Sequence, residues 1–152
     1  MTVTGPGVRE PGKWIVPVGT RLRDLLAGSG GLADNASEII FGGPMMGTAI
    51  SNLDTPVLKG TSGVLVLSEG ETPSKENYPC IRCGHCLDAC PVFLNPQRLG
   101  NLAANERWSE MLEVHLMDCM LCGCCSYVCP SNIPLTHLFA MAKAALRRRP
   151  AA

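Results

Sequence analysis

The sequence has no surplus of charge of either sign, with 13 Lys and Arg residues against 13 Asp and Glu residues. Proteins that bind nucleic acid or acidic substrates usually carry a basic excess, so the composition favours neither class of partner. Aromatic residues are also scarce, at 5% of the 152 positions. A chain of this length holds one ordinary domain or two small ones, and the scarcity of aromatic side chains indicates thin hydrophobic cores.

Long hydrophobic runs are absent as well. The longest apolar stretches, residues 64–67 and the segment 138–146 interrupted by Lys143, are far shorter than the roughly 20 residues of a membrane-spanning helix. Residues 2–9 contain no apolar core of a secretory signal. The sequence therefore predicts no membrane span and a reducing, cytosolic setting in which thiols stay free. A protein of this kind that works at a membrane does so as a peripheral subunit.

Cysteine is absent from the first 79 positions, and nine cysteines then lie between Cys80 and Cys129. This contrast divides the chain. Residues 1–68 contain many Gly and Pro with short β-like runs, residues 69–79 are polar with turn formers, and residues 80–152 carry helical patterns. We expect an α+β fold, with a small β-grasp domain at 1–68, a linker at 69–79 and an α-helical ferredoxin-like domain at 80–152.

Hydrophobic periodicity and turn residues predict the individual elements. Thr20 is a candidate N-cap for the first helix, Gly28 a candidate stop, and Asn95 followed by Pro96 is a typical helix start. The predicted strands cover residues 2–4, 14–18, 38–41 and 63–67, and the predicted helices cover 21–27, a segment beginning at 95–96, about 106–116, and 135–148.

The cysteines form one pattern twice, C-x₂-C-x₂-C-x₃-C-P, at residues 80–91 and 119–130. A cubane iron–sulfur cluster needs four thiolates at the corners of a tetrahedron. A curled loop with a cysteine at every third position supplies three of them. The fourth cysteine, followed by Pro, ligates the other cluster. The spacing therefore predicts two [4Fe–4S] clusters, one on Cys80, Cys83, Cys86 and Cys129, and the other on Cys119, Cys122, Cys125 and Cys90.

Zinc sites and disulfides are the competing interpretations. Zinc knuckles use two cysteines each, so a third cysteine in the same loop and the Cys-Pro ending have no purpose there. The odd cysteine count argues against a complete disulfide framework. Cys124 is expected to be a free thiol and not a ligand, and His85 a loop residue near a cluster. Gly84 and Gly123 give the loop backbone either room beside the cluster or a required turn geometry.

Three segments together resemble a known family. The loop GGPMMG at 42–47, the block CIRCGHCLDACP at 80–91, and DCMLCGCCSYVCPSNIPL at 118–135 are similar to the C-terminal part of RnfC (also called RsxC), over about residues 3–142. The resemblance implies an SLBB (soluble-ligand-binding β-grasp) domain followed by a dicluster domain. It also implies a peripheral subunit, on the cytoplasmic side of the inner membrane, of a complex that couples electron transfer between NADH and ferredoxin to ion movement.

The family's NADH- and FMN-binding domain normally lies upstream, and this sequence has no Gly-rich nucleotide loop in the right context. We therefore expect FMN and NADH to bind only in a missing upstream domain. The partners implied are that flavin/NADH-binding domain and other subunits of a membrane redox complex. The 42–47 loop is expected to be a tight turn or a point of contact with another subunit.

The function expected from these features is a relay of single electrons, in which no side chain performs acid–base chemistry and the fragment is an electron carrier without its own substrate site. Two alternatives stay open at this point. One is a cobalamin-reductase-like iron–sulfur flavoprotein fragment, which shares this architecture. The other is a binding or assembly module in which the clusters are structural.

Overall fold

The computed structural model describes residues 1–72 and 76–148. These fall into two compact units, Met1–Ser74 and Lys75–Ala152. Positions 73–75 of the predicted linker and positions 149–152 of the predicted second domain lie outside the described residues. The mixed α+β fold class is confirmed, because a five-stranded sheet occupies the first unit and helices dominate the second.

The first unit is built on one sheet with the strand order β2-β1-β5-β3-β4. The first and last strands, β1 and β5, are parallel neighbours at its centre, and the remaining pairs are antiparallel. This central parallel pair fits the predicted β-grasp arrangement. The strands are β1 (Thr2–Thr4), β2 (Gly12–Lys13), β3 (Ala36–Phe41), β4 (Thr48–Ala49) and β5 (Gly63–Ser68).

The core of the first unit lies between this sheet and one helix, α1 (Leu22–Gly28). Strand β5 alternates half-buried and buried residues, as a strand with one face on the core does. The chain leaving β1 passes directly against β5 at Gly5. A Cβ atom at Gly5 would lie 2.1 Å from the Val66 carbonyl oxygen, and its φ is +111°. The buried core residues are Val3, Val8, Leu22, Leu25, Leu26, Val57, Val64 and Val66.

Two sequence expectations for this unit are wrong. The predicted strand at 14–18 does not form, because β2 ends at Lys13 and Pro17 has no N–H to donate to a ladder. Thr20 does not cap the helix: its hydroxyl donates to the Pro17 carbonyl oxygen at 2.8 Å, and Arg21 is the N-cap. Gly28 is the last helical residue, not the stop, and the following Ser29 is the C-cap.

The second unit is helical, and its core joins α3 (Pro96–Ala104), α4 (Trp108–Glu113) and α6 (Leu135–Arg148). Gly100 marks close packing of α3 on α6, because a Cβ atom there would lie 2.5 Å from Leu135 Cδ2. The predicted helix at 106–116 is shorter than expected, since Glu106 and His115 adopt positive φ values of 54° and 62° and bracket it. The helices are α2 (His85–Asp88), α3 (Pro96–Ala104), α4 (Trp108–Glu113), α5 (Cys124–Tyr127) and α6 (Leu135–Arg148).

A repeat of 39 positions underlies this unit and extends beyond the two cysteine motifs. Helices α2 and α5 begin at equivalent positions, and so do α3 and α6. The backbone repeats even its unusual conformations. Left-handed φ values recur as the pairs Arg82 at 56° and Leu121 at 56°, Gly84 at 88° and Gly123 at 89°, and Phe93 at 53° and Asn132 at 52°.

Within residues 1–72 and 76–148, none of the helices has both the length and the apolar character that a membrane crossing requires.

Candidate functional site

Each cysteine loop is shaped by two left-handed residues. One lies between the first and second cysteines, and the other is a glycine that serves as N-cap of the short helix carrying the third cysteine. A Cβ atom at Gly84 would meet no protein atom within 4 Å. Gly84 also lines the first cavity, and its positive φ is one that an L-residue adopts only at a cost, so both roles expected for this glycine fit its position.

The two loops line two cavities, and each loop contributes its fourth cysteine to the cavity of the other. The first cavity, about 510 Å³, is lined by Cys80, Cys83 and Cys86 together with Cys129. The second, about 20 Å³, is lined by Cys119, Cys122 and Cys125 together with Cys90. These are the two sets expected from the spacing, and they are called here the first set and the second set.

Hydrogen bonds explain how Cys129 reaches the first set. The chain just before Cys80 pairs with the chain just after Cys129. The Tyr78 N–H donates to the Ser131 carbonyl oxygen at 2.9 Å, and the Ser131 hydroxyl donates to the Pro79 carbonyl oxygen at 3.0 Å. These two bonds hold the beginning of one loop beside the end of the other.

Cys90 is oriented by the start of the α3 region. The Leu94 N–H donates to Cys90 Sγ at 3.3 Å. Backbone N–H bonds to ligand sulfur are one of the features that set the potential of an iron–sulfur cluster. The loop that follows Cys90 is closed by the Phe93 N–H, which donates to the Cys90 carbonyl oxygen at 3.2 Å.

The electrostatics group the first-set thiols together. Burial raises the pKa of Cys86, and the neighbouring thiolates of Cys129, Cys80 and Cys83 raise this pKa further. All three belong to the first set, so the charges felt by Cys86 match the lining of its cavity. A bound metal centre would reverse the shift, because it requires the thiolate form and supplies positive charge to it.

The same holds in the second set. Burial raises the pKa of Cys125, and the thiolates of Cys119 and Cys122 add to the increase. A hydrogen bond between Cys125 Sγ and the Thr136 hydroxyl, 3.8 Å apart, lowers this pKa. Thr136 is fixed in turn by Ser126, whose hydroxyl lies 2.8 Å from that of Thr136.

The two sets differ in exposure. Cys80 and Cys83 are exposed to solvent, whereas Cys119 and Cys122 are half-buried and Cys125 is 8% exposed. The first set is therefore the more accessible one.

Cys124 and His85 line neither of these two cavities. They occupy equivalent positions, as the first residues of α5 and α2. A side-chain hydrogen bond with Cys122 raises the pKa of Cys124. That Cys124 is a free thiol and not a ligand stays a prediction.

Sequence reasoning missed one residue that contacts the second loop, Lys143. Its amine donates to the carbonyl oxygens of Met117 at 3.1 Å and of Cys119 at 2.5 Å, and the residue is only 9% exposed. A signal was available in the sequence, because Lys143 follows Phe139 by four positions and so lies on the apolar face of α6.

The donor set fits an iron–sulfur group, since each cavity is lined by four cysteines and four cysteine thiolates hold a [4Fe–4S] cluster. Across the described part of the chain, no three His, Cys, Asp or Glu side chains are grouped as ligands of a single metal ion. The grouping of the cysteines therefore rests on the cavities that they line.

Comparison with known proteins gives two family matches and several relatives. Residues 1–49 match the SLBB domain, and residues 76–133 match the 4Fe-4S dicluster domain. The chain is 44% identical over 149 residues to the C subunit of the ion-translocating oxidoreductase complex of Rhodobacter capsulatus, covering 98% of this chain and 29% of the relative.

Two further relatives have similar names. The C subunit of the proton-translocating ferredoxin:NAD(+) oxidoreductase complex of Clostridium ljungdahlii is 42% identical over 118 residues, which is 77% of this chain and 26% of the relative. The C subunit of the ion-translocating oxidoreductase complex of Pectobacterium carotovorum is 39% identical over 148 residues, covering 97% of this chain and 20% of the relative. The chain thus spans less than a third of the length of these curated relatives.

Proposed function

We propose that this chain, a member of the family of C subunits of ion-translocating oxidoreductase complexes with an SLBB domain and a 4Fe–4S dicluster domain, relays single electrons through two [4Fe–4S] clusters. The observation that carries the proposal is the pair of cavities, each lined by four cysteines drawn from both loops. The names of the relatives and the match to the dicluster domain support an electron-transfer role. The number of clusters and the assignment of each ligand are the parts that we add.

In this proposal the first set holds one cluster and the second set the other. A bound [4Fe–4S] cluster accepts and releases one electron at a time. The chain's own residues bind it through thiolates, orient Cys90 through the Leu94 N–H, and shield the second set behind the buried Phe139 and Leu99. No acid–base step is assigned to any side chain, because electron transfer requires none.

The physiological setting is also part of the proposal. We place the chain between a flavin/NADH-binding module and membrane redox subunits of an Rnf-type ferredoxin:NAD oxidoreductase complex, as a peripheral subunit on the cytoplasmic side of the inner membrane. The relatives that are subunits of such complexes support this setting. The exposure of Cys80 and Cys83 makes the first set the better candidate for exchange with a partner.

One observation favours a second candidate, in which the clusters mainly stabilise the fold of a binding or assembly module. Cys80 and Cys129 come from distant parts of the chain and line one cavity, so a cluster on them would cross-link the two loops. The two candidates differ in whether a physiological donor can reduce the clusters.

The first experiment is iron analysis of anaerobically purified protein. We expect about eight irons per chain and, after dithionite, EPR signals of two interacting reduced clusters. Colourless protein with stoichiometric zinc would refute both candidates. Clusters that dithionite reduces, but that a flavin/NADH module added with NADH does not reduce, would favour the structural candidate.

The ligand assignment is tested with pairs of alanine substitutions. If Cys80 and Cys129 serve one cluster, the double variant Cys80→Ala/Cys129→Ala keeps about four irons, whereas Cys80→Ala/Cys90→Ala loses nearly all eight. The opposite pattern would assign four cysteines of one loop to each cluster. Cys124→Ala is the matched control within the second loop and is expected to keep about eight irons.

A further inference from the structure

The amine of Lys143 is a buried positive charge beside the second set. It donates to two backbone carbonyl oxygens, one of them that of Cys119, the first cysteine of the second loop. Both acceptors are neutral. Among residues 1–72 and 76–148, no carboxylate forms an ion pair with Lys143. The charge is therefore not cancelled by a side chain close to it.

The 39-residue repeat supplies an internal comparison for this charge. The position equivalent to Lys143 is Ala104, the last residue of α3, which lines the cavity of the first set. Helix α3 thus presents a methyl group to the first set where α6 presents an ammonium group to the loop of the second.

The other charges of the two loops do not offset this difference. The first loop contains Arg82 and Asp88, which are both exposed and opposite in sign, and the equivalent residues Leu121 and Tyr127 are neutral. His85 is a further titratable residue of the first loop and is exposed. Exposed charges are screened by solvent and salt far more strongly than a buried charge.

The segments that precede the loops are also similar in charge. Each has one exposed carboxylate before its first cysteine, Glu76 before Cys80 and Asp118 before Cys119. His115 lies 3.7 Å from Asp118 and is exposed as well. Lys143 is therefore the principal buried electrostatic difference between the two repeats.

We propose that Lys143 raises the reduction potential of the second set, so that this set is the preferred location of the first electron. This inference rests on the proposed function. Reduction adds one negative charge to a cluster, so a fixed positive charge beside it stabilises the reduced form. Lys143 also positions the loop through its two hydrogen bonds. The test must therefore separate the charge from the positioning.

The experiment measures which cluster carries the electron in protein reduced by one equivalent. Proton NMR of the cysteine β-methylene groups reports this, because each group is shifted by the cluster to which its sulfur is bound. We compare wild type with Lys143→Gln, which keeps a hydrogen-bond donor without the charge, and with Lys143→Arg, which keeps both. A third variant, Ala104→Lys, adds a charge at the equivalent position.

For Lys143→Gln we expect the ratio of second-set to first-set reduction to fall about tenfold, equivalent to about 59 mV for one electron. Lys143→Arg should leave the ratio within about twofold of wild type, and Ala104→Lys should shift it towards the first set. An unchanged ratio in Lys143→Gln with about eight irons retained would overturn the inference and leave the proposed function intact. If Lys143→Gln loses iron, the wild-type protein decides the question, and a first electron that resides mainly on the first set refutes the inference. Wild-type protein without two clusters refutes the proposed function itself.

Discussion

Replacing Gly84 with alanine should weaken the binding of iron by the first loop. Gly84 has a φ of +88° and a ψ of −15°, and a Cβ atom there would meet no protein atom within 4 Å. The cost is therefore one of backbone conformation, about 2 kcal/mol for an L-residue at the edge of the left-handed region. Alanine also lowers the conformational entropy of the unfolded chain, which stabilises the folded variant by about 0.5 kcal/mol. The net cost of about 1.5 kcal/mol corresponds to roughly a tenfold increase in the open form of the loop.

The assay is anaerobic release of iron to a chelator, followed by absorbance. About half of the iron in Gly84→Ala should be released roughly tenfold faster than in wild type, since only the first loop is perturbed. Gly60→Ala is the matched control, because Gly60 has no left-handed φ and a Cβ atom there also meets nothing within 4 Å. Equal release rates for the two variants would refute the role assigned to this conformation, and equal acceleration of all the iron would show that the loops open together.

Three further substitutions test the packing and the caps. Phe139→Ala should lower the free energy of unfolding by about 3–5 kcal/mol in thermal or urea denaturation, because Phe139 is 1% exposed. Met141→Ala is the control in the same helix and should change the free energy of unfolding by less than about 0.5 kcal/mol, because Met141 is 51% exposed. Gly5→Ala should abolish the folded NMR spectrum of the first unit, because the new Cβ would collide with a β5 carbonyl oxygen; Gly19→Ala, left-handed but with open space around it, should leave that spectrum folded. Asn95→Ala removes the side-chain acceptor of the Arg98 N–H at 2.9 Å and should cost about 1 kcal/mol, with recovery in Asn95→Asp; no loss in the alanine variant would contradict the capping role.

Local patterns predicted the parts of the fold that depend on local chemistry. The apolar run at 64–67 lies in β5, which begins at Gly63 as expected. Asn95 with Pro96 begins α3 as expected, since a capping side chain and a fixed φ act over a few residues. Strand β4 was missed because it has only two residues and exists through pairing with β3. The failed strand at 14–18 has the opposite cause, because its residues suit a strand but the pairing with the first strand ends at Trp14, which bonds Met1 at the beginning of the chain.

The candidate site likewise has features that the sequence predicts and features that depend on tertiary packing. The cysteine spacing predicted which cysteines line each cavity, because the motif encodes the curl of the loop, and their role as cluster ligands stays a prediction. It could not predict that Lys143 contacts the second loop, since that contact joins positions 24 residues apart through the packing of α6. It also did not predict the difference in exposure between Cys83 and Cys122, which occupy the same place in the motif.

The exchange of the fourth cysteine between loops has a consequence for biosynthesis. Cys129 follows Cys80 by 49 positions, and Cys90 precedes the other three cysteines lining its cavity. A nascent chain that has left the ribosome only as far as Cys119 offers three cysteines of the first cavity and two of the second. In this arrangement no complete set of four exists until Cys125 has emerged, and the second-loop cavity is then completed before the first. Under the proposed ligand assignment, neither cluster can therefore be completed until most of the second cysteine motif has been translated. A chain that ends between the two loops would then have no complete set of four ligands.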